Sequence, residues 1–116
     1  MKNGNLLSRL NEYRIMWLFV FFDLPTESKR DRKVASKFRK YLIEDGFNMF
    51  QFSIYIRCCP SKENAMVHIK RLKQQLPKYG KIGILRVTDK QFGMMELFYG
   101  QKEIAPDLPV QQLELF

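Results

Sequence analysis

The sequence predicts one α+β domain, in which two amphipathic helices cover one side of a mainly antiparallel β-sheet. The first observation is a continuous apolar run over residues 16–22, too short to span a bilayer and typical of a strand covered on both faces. The second is a pair of helical apolar stripes, one after each of the first two predicted strands. The third is size, because 116 residues, 46% of them hydrophobic, are enough for one core and too few for two.

The apolar run predicts a central strand that ends at Asp23. A Leu-Pro breaker follows this carboxylate. Residue alternation places Trp17, Phe19, Phe21 and Asp23 on one face, so Asp23 lies at the margin of an apolar surface. Two interpretations remain open from the residues alone. Asp23 is either a turn or capping residue before a Pro-containing bend, or a functional carboxylate for metal binding or acid–base chemistry.

The first helix is predicted to begin after Ser28, which has capping-box spacing to Asp31. Seven cations against one acid lie between Lys29 and Lys40. A charge run is most often a solvated face, but a merely soluble face normally mixes signs, so the imbalance favours phosphate contact. The candidate contacts are Lys29, Arg32, Lys33 and Lys37. The core stripe of this helix is predicted to be Val34, Phe38, Tyr41 and Leu42.

The remaining elements follow from alternation and breakers. A second strand with one buried face is predicted over residues 50–57, and a second helix from residue 61 to Pro77 with Ala65, Ile69, Leu72 and Leu76 in its core stripe. Residues 81–88 and 92–99 are predicted to form a hairpin. Residues 1–14 predict an N-terminal arm, and residues 110–116 a short strand that pairs with a sheet edge. This order is close to the split βαβ arrangement of ferredoxin-like folds.

Composition limits the function classes. A net charge of +8 and a pI near 9.7 favour a polyanionic partner, nucleic acid before an anionic membrane surface. No cleavable signal peptide is evident, so we expect the cytoplasm. The two cysteines, Cys58 and Cys59, are adjacent and precede a proline, which indicates reduced thiols in a turn. The single histidine, His68, has no ligand cluster near it in sequence, which favours a packing or surface role.

The pattern also predicts a homodimer. Two helices cover only one side of a sheet, so the aromatic face of the first strand is predicted to be exposed, and a twofold dimer is the commonest way to cover such a face. Asp23 lies at the margin of that face, so we expect its symmetry mate to come close. Two close carboxylates require a shared proton or a cation between them, and a hard ion such as Mg²⁺ suits oxygen ligands.

Four segments carry a resemblance to a known family. They are FFDLP at 21–25, SKRDRK at 28–33, QFSIYIR at 51–57 and VTDKQFG at 87–93. In this order and spacing they are similar to the Cas-two family of CRISPR-associated proteins, specifically its type II branch, and the likeness covers residues 13–116. It implies a ferredoxin-like homodimer with βαββαβ order, whose terminal strand packs against the partner subunit.

The resemblance implies a role in spacer acquisition for antiviral defense. In that role the dimer bridges two dimers of the CRISPR integrase and binds prespacer duplex DNA across basic surfaces. By the same likeness Arg30, with Arg32 and Lys33, is a candidate backbone contact, and Gln51 and Ser53 lie beside Asp23.

The resemblance leaves two activities open. In many members the aspartate that matches Asp23 coordinates a divalent metal, Mg²⁺, across the dimer axis and supports endonuclease cleavage of RNA or DNA, whereas other members act only as scaffolds. The scaffold role is favoured, because one carboxylate per subunit is a thin catalytic set for a nuclease. The alternative is a stand-alone metal-dependent endoribonuclease of the related toxin type.

Overall fold

The structure, a computed structural model, describes residues 14–105. The predicted strand over residues 110–116 lies outside the described residues, and so does the predicted arm apart from Arg14. The elements are β1 (Met16–Asp23), α1 (Lys29–Glu44), β2 (Asn48–Gln51), β3 (Ile54–Cys59), α2 (Lys62–Lys73), β4 (Lys81–Thr88), α3 (Asp89–Gly93), β5 (Leu97–Tyr99) and β6 (Lys102–Ile104). Among these described elements, no helix has the length and apolar character needed to cross a membrane.

The strand β1 is central, as predicted. It pairs antiparallel with β3 on one side and with β4 on the other, and the four-stranded sheet has the order β2-β3-β1-β4. With α1 between β1 and β2 and α2 between β3 and β4, this is the ferredoxin-like βαββαβ arrangement. The predicted fold class is confirmed.

The main core lies between the sheet and the two long helices. Alternate residues of β1 point into it, which is the period-2 pattern of a strand that uses one face for the helices. Two members of the predicted helical stripes are exposed instead. Val34 is at the edge of the stripe, and Leu76 lies beyond α2, which ends at Lys73 and not at Pro77. The core residues from β1, α1 and α2 are Met16, Leu18, Val20, Phe22, Ala35, Phe38, Leu42, Ala65, Ile69 and Leu72.

The predicted single strand over residues 50–57 is wrong. The chain reverses at Phe52 and Ser53, so β2 and β3 form an antiparallel hairpin with a register irregularity between Met49 and Gln51. The expected separation into one buried and one polar face fails as well, because Tyr55 and Ile56 lie on opposite faces of β3 and both are buried. The turn was missed because neither of its residues is the Gly, Asn or Asp that usually marks a tight hairpin.

The predicted hairpin between residues 81–88 and 92–99 is also wrong. β4 pairs with β1 along its whole length, and the next residues form the short helix α3. Thr88 and Gln91 make a reciprocal capping box at the start of α3, which turns the chain away from a second strand. The strand β5 pairs with β6 instead.

The aromatic face of β1 is covered at one end by α3. The ring of Phe92 stacks on Trp17 with centroids 3.9 Å apart and planes 6° apart, and Trp17 Nε1 donates a hydrogen bond to Asp89 Oδ1 at 2.8 Å. Toward the other end of the strand, Phe21 is 47% exposed. The prediction of an exposed aromatic face is therefore right near Asp23 and wrong at Trp17.

Candidate functional site

Asp23 is the last residue of β1. It is exposed and lies at the margin of the uncovered part of the sheet. In the register of the sheet it stands opposite Lys81 of β4. A shallow groove runs past it, and the residues that line this groove are Phe21, Phe22, Asp23, Ser53, Ile54, Lys81, Ile82 and Gly83. Asp23 therefore stands in a groove that is open to solvent and partly apolar.

The β2–β3 turn supplies the side of the groove opposite β4. The backbone N–H of Phe22 donates to the carbonyl oxygen of Ser53 at 3.0 Å, which ties the turn to the end of β1. Ser53 consequently lines the same groove as Asp23. Gln51 is exposed in β2, one residue before the turn, and is not among the residues that line the groove.

The backbone around Asp23 is held from the other side by Gly80. This glycine has φ of +100°, and a Cβ there would lie 2.8 Å from the carbonyl oxygen of Asp23 and 2.7 Å from Leu24 Cδ2. A side chain at this position would meet backbone atoms that cannot move away easily. The segment before β4 thus fixes where the end of β1 lies.

Within the described part of one chain, the protein donor atoms around Asp23 are too few to hold a Mg²⁺ ion by themselves. Among residues 14–105 no three His, Cys, Asp or Glu side chains form a group that could hold a metal. Asp23 is the one acidic residue among those that line the groove, and Lys81 brings a positive charge to it. Since Mg²⁺ takes near-octahedral oxygen coordination and usually keeps several waters, a site at Asp23 would need further oxygen atoms beyond those of the described residues, such as water, a second copy or a phosphate.

The predicted basic surface on α1 is present. All five candidate residues are exposed: Lys29, Arg30, Arg32, Lys33 and Lys37. Arg32 differs from the others because its guanidinium is already bound within the chain. Its Nη1 donates to the carbonyl oxygens of Thr26 at 3.0 Å and Glu27 at 3.1 Å and so stabilises the loop before the helix. Arg30 lies with Lys78 and Tyr79 around a cavity beside that loop.

Sequence reasoning missed a contact between α1 and the β2–β3 turn. The guanidinium carbon of Arg39 lies 3.9 Å from the centroid of the Phe52 ring and 5.4 Å from that of Phe22. Arg39 Nε also donates to the carbonyl oxygen of Phe52 at 3.4 Å. In the sequence, Arg39 is one cation among seven, and no spacing rule pairs it with a residue thirteen positions later.

A second missed cluster surrounds Asp45 at the end of α1. His68 Nδ1 lies 2.7 Å from Asp45 Oδ2, Arg71 Nη1 donates to Oδ1 at 3.2 Å, and Arg57 Nε donates to the Asp45 carbonyl oxygen at 2.9 Å. The cluster joins α1, β3 and α2. His68 is 5% exposed, so it has the packing role that the sequence favoured.

The two cysteines end β3 instead of lying in the turn after it. Both are free thiols, Cys58 exposed and Cys59 buried. Partial burial of the thiol raises the pKa of Cys58 to about 11, and burial raises the pKa of Cys59 as well. Both groups are therefore protonated at neutral pH, and a protonated thiol is a poor nucleophile and a poor metal ligand.

These features define a basic ferredoxin-like domain with one exposed carboxylate at the end of its central strand. Residues 16–95 match the family model described as CRISPR associated protein Cas2. The chain therefore belongs to the CRISPR-associated Cas2 family, as the resemblance indicated.

Three curated relatives match this chain over nearly their whole length. A CRISPR-associated endoribonuclease Cas2 of Flavobacterium psychrophilum is 65% identical, over 94% of this chain and 95% of the relative. The protein of the same name from Parvibaculum lavamentivorans is 45% identical, over 87% of this chain and 100% of the relative. A third, from Paracidovorax avenae, is 39% identical over 92% and 99%.

Proposed function

We propose that this chain is a homodimeric subunit of CRISPR adaptation that binds prespacer duplex DNA and bridges integrase dimers during spacer integration. The observation that carries the proposal is the exposed basic face of α1. Four of its cations, Lys29, Arg30, Lys33 and Lys37, have exposed side chains that form no ion pair or side-chain hydrogen bond within the described residues. The cytoplasmic location and the type II assignment remain predictions.

The uncovered side of the sheet supports the dimer. Phe21 of β1 and Leu85 of β4 are 47% and 50% exposed. β4 is an outer strand of the four-stranded sheet, so within the described residues one of its hydrogen-bonding edges has no partner strand. A second copy placed on this side would cover apolar surface, pair the open edge and bring its own Asp23 toward that of the first chain.

A charge-matched pair of variants tests the DNA-binding role. The triple variant Lys29→Gln/Lys33→Gln/Lys37→Gln removes three cations from α1, and Lys62→Gln/Lys70→Gln/Lys73→Gln removes the same charge from the exposed side of α2. The slope of log affinity against log salt is negative, and if the α1 lysines contact phosphates, the α1 variant reduces its magnitude by up to about 2.7, at about 0.9 per contact.

The α2 variant and Asp23→Ala are expected to retain the wild-type slope. Equal losses from both triple variants would mean that only net charge matters and would contradict an interface on α1. Loss of binding in Asp23→Ala with retention in the α1 variant would reverse the assignment of the two surfaces.

Metal-dependent endoribonuclease activity is the second candidate. It is supported by the name endoribonuclease that the relatives carry and by the exposure of Asp23 in an open groove. In this proposal the carboxylates of two Asp23 residues, one from each copy, hold Mg²⁺, and Ser53 lies beside them. The chemistry that such an ion supplies is polarisation of a phosphate oxygen and activation of water. The toxin-type alternative uses the same residues without the integrase.

Cleavage assays separate the two candidates. Wild type, Asp23→Asn and the exposed-acid control Glu96→Gln are incubated with labelled single-stranded RNA and duplex DNA, in Mg²⁺ and in chelator. The endoribonuclease proposal expects cleavage of RNA that requires both Asp23 and Mg²⁺ and survives in the control. Binding of the duplex by proteins that cleave no substrate would support the scaffold role and contradict the endoribonuclease proposal. Growth arrest on expression that depends on Asp23 would favour the toxin type.

A further inference from the structure

An exposed aromatic ring is held in a fixed position at the β2–β3 turn. Phe52 is 68% exposed, yet one of its faces is occupied by the Arg39 guanidinium, whose central carbon lies 3.9 Å from the ring centroid. Arg39 is itself fixed, because its Nε donates to the Phe52 carbonyl oxygen and its guanidinium lies over the ring of buried Phe22. We call this arrangement the Arg39–Phe52 pair.

The turn does not need an aromatic side chain for its own stability. Arg39 closes it through the backbone carbonyl of Phe52, and the Phe22 N–H closes it through the carbonyl of Ser53, so both contacts are independent of the ring. A ring that is stacked on one face and 68% exposed presents its other face to solvent. The pair is therefore an ordered, flat, apolar surface backed by a positive charge.

The pair stands between the two parts of the candidate site. Arg39 belongs to α1, the helix with the exposed cations, and Lys40 follows it as an exposed cation. Ser53, the residue after Phe52, lines the groove of Asp23. A strand whose phosphates lie along α1 and whose chain continues into the groove therefore passes the open face of Phe52.

We propose that the Arg39–Phe52 pair is a stacking platform for one unpaired nucleobase of a single-stranded nucleic acid, at the entrance to the Asp23 groove. Aromatic rings with an Arg neighbour bind single strands in this way, because every base has a π-face that can stack on them. A base inside a duplex is already stacked on both sides and does not reach such a ring. The inference rests on the proposed nucleic-acid-binding function and assigns to it a site for unpaired strand.

The test uses short single-stranded DNA and RNA oligonucleotides that carry one 2-aminopurine, together with a blunt DNA duplex. Wild type is expected to quench the fluorescence of the 2-aminopurine in at least one of the two single strands, and the comparison of the two decides between DNA and RNA. Phe52→Ala is expected to lose the quenching and to bind that strand about 5- to 150-fold more weakly, the range that corresponds to one base–aromatic stack. Its affinity for the blunt duplex is expected to stay at the wild-type value.

Three further variants define the cause of any loss. Phe52→Trp is expected to keep the quenching, since it keeps an aromatic face, whereas Phe52→Leu keeps apolar bulk in the turn and is expected to lose it. Phe98→Ala removes a Phe that is 54% exposed in β5, away from the four-stranded sheet, and is expected to change neither affinity. Circular dichroism and sedimentation of each variant report its fold and its oligomeric state.

The outcomes distinguish this inference from the proposed function. Wild-type single-strand affinity in Phe52→Ala overturns the platform, while duplex binding that depends on the α1 lysines keeps the proposed function. Quenching that depends on Phe52, without any duplex binding, keeps the platform and contradicts the proposed duplex-binding function. A Phe52→Ala protein with a changed oligomeric state overturns the platform, because Phe52 then belongs to a contact between copies. Absence of binding to every nucleic acid overturns both.

Discussion

Replacement of Phe92 by Ala is expected to remove the apolar side chain that anchors α3 to the sheet within residues 14–105. This helix has five residues, of which Phe92 alone is buried, and its first residue, Asp89, is also held by hydrogen bonds to Trp17 and to the Ile15 carbonyl oxygen. Truncation of a buried Phe to Ala costs about 3–5 kcal/mol, and a stacked aromatic pair contributes about 0.5–1.5 kcal/mol beyond burial. Since the loss of the ring also frees α3 and uncovers Trp17, we expect a reduction of about 4–5 kcal/mol in the free energy of unfolding.

The measurement is urea unfolding followed by intrinsic fluorescence, because Trp17 is the only tryptophan of the chain. With a urea dependence of about 2 kcal/mol per molar, the midpoint is expected to fall by about 2 M. The emission of the folded variant is expected to shift to the red as water reaches the indole. Phe98→Ala, at an exposed Phe of β5, is the control and is expected to change the midpoint little. A loss below about 1 kcal/mol with unchanged emission would refute the role of Phe92 as the anchor.

Three further predictions follow from contacts described above. Gly80→Ala is expected to lower the free energy of unfolding by about 1–3 kcal/mol, measured by thermal or urea unfolding, because the Cβ of the alanine would meet the Asp23 backbone. An unchanged free energy of unfolding would show that the backbone around residue 80 can move to accept the Cβ. Asp45→Ala is expected to cost about 1–3 kcal/mol because it leaves buried His68 without its partner, whereas Arg71→Ala, at the exposed end of the same cluster, is expected to cost less than about 1 kcal/mol; equal costs would contradict this ranking. At pH 8 the Cys58 thiol, with its pKa raised from 9.0 to about 11, is expected to be alkylated by iodoacetamide roughly 10-fold more slowly than an unperturbed thiol, because its lower thiolate fraction outweighs the greater nucleophilicity of that thiolate. The rate is expected to rise until about pH 11, and fast labelling at pH 8 would contradict the raised pKa.

The parts of the fold that the sequence predicts well are those with a strong local signal. The apolar run with its terminal acid predicts β1 and its central place, and the Ser28–Asp31 spacing predicts a capping box that the structure contains. Residues 81–88 were predicted as a strand with the bounds that β4 has. In each case the pattern is continuous and a breaker or cap marks its end, so local preference and tertiary structure agree.

The errors occur where a chain reversal has no conventional turn residue, or where the helix after a cap is too short to show a period. Alternation of apolar and polar residues continues through Phe52 and Ser53, so the pattern does not reveal that the chain turns there. Thr88 and Gln91 have the spacing of a capping box, but a single short helical turn has too little periodicity to be predicted. In the candidate site, Asp23 and the basic face of α1 are visible in the sequence, whereas the Arg39–Phe52 pair and the Asp45 cluster are tertiary contacts between distant positions.

The central place of β1 has a consequence for synthesis on the ribosome. β1 is the first strand of the described chain, yet its two edges pair with β3 and β4, and Thr88, the last partner, follows Asp23 by 65 positions (88 − 23). At about 5–20 residues per second, this interval lasts roughly 3–13 s. During that time the nascent chain carries a strand rich in aromatic residues with one or both edges open, and open apolar edges of this kind favour aggregation until their partner strands have been made.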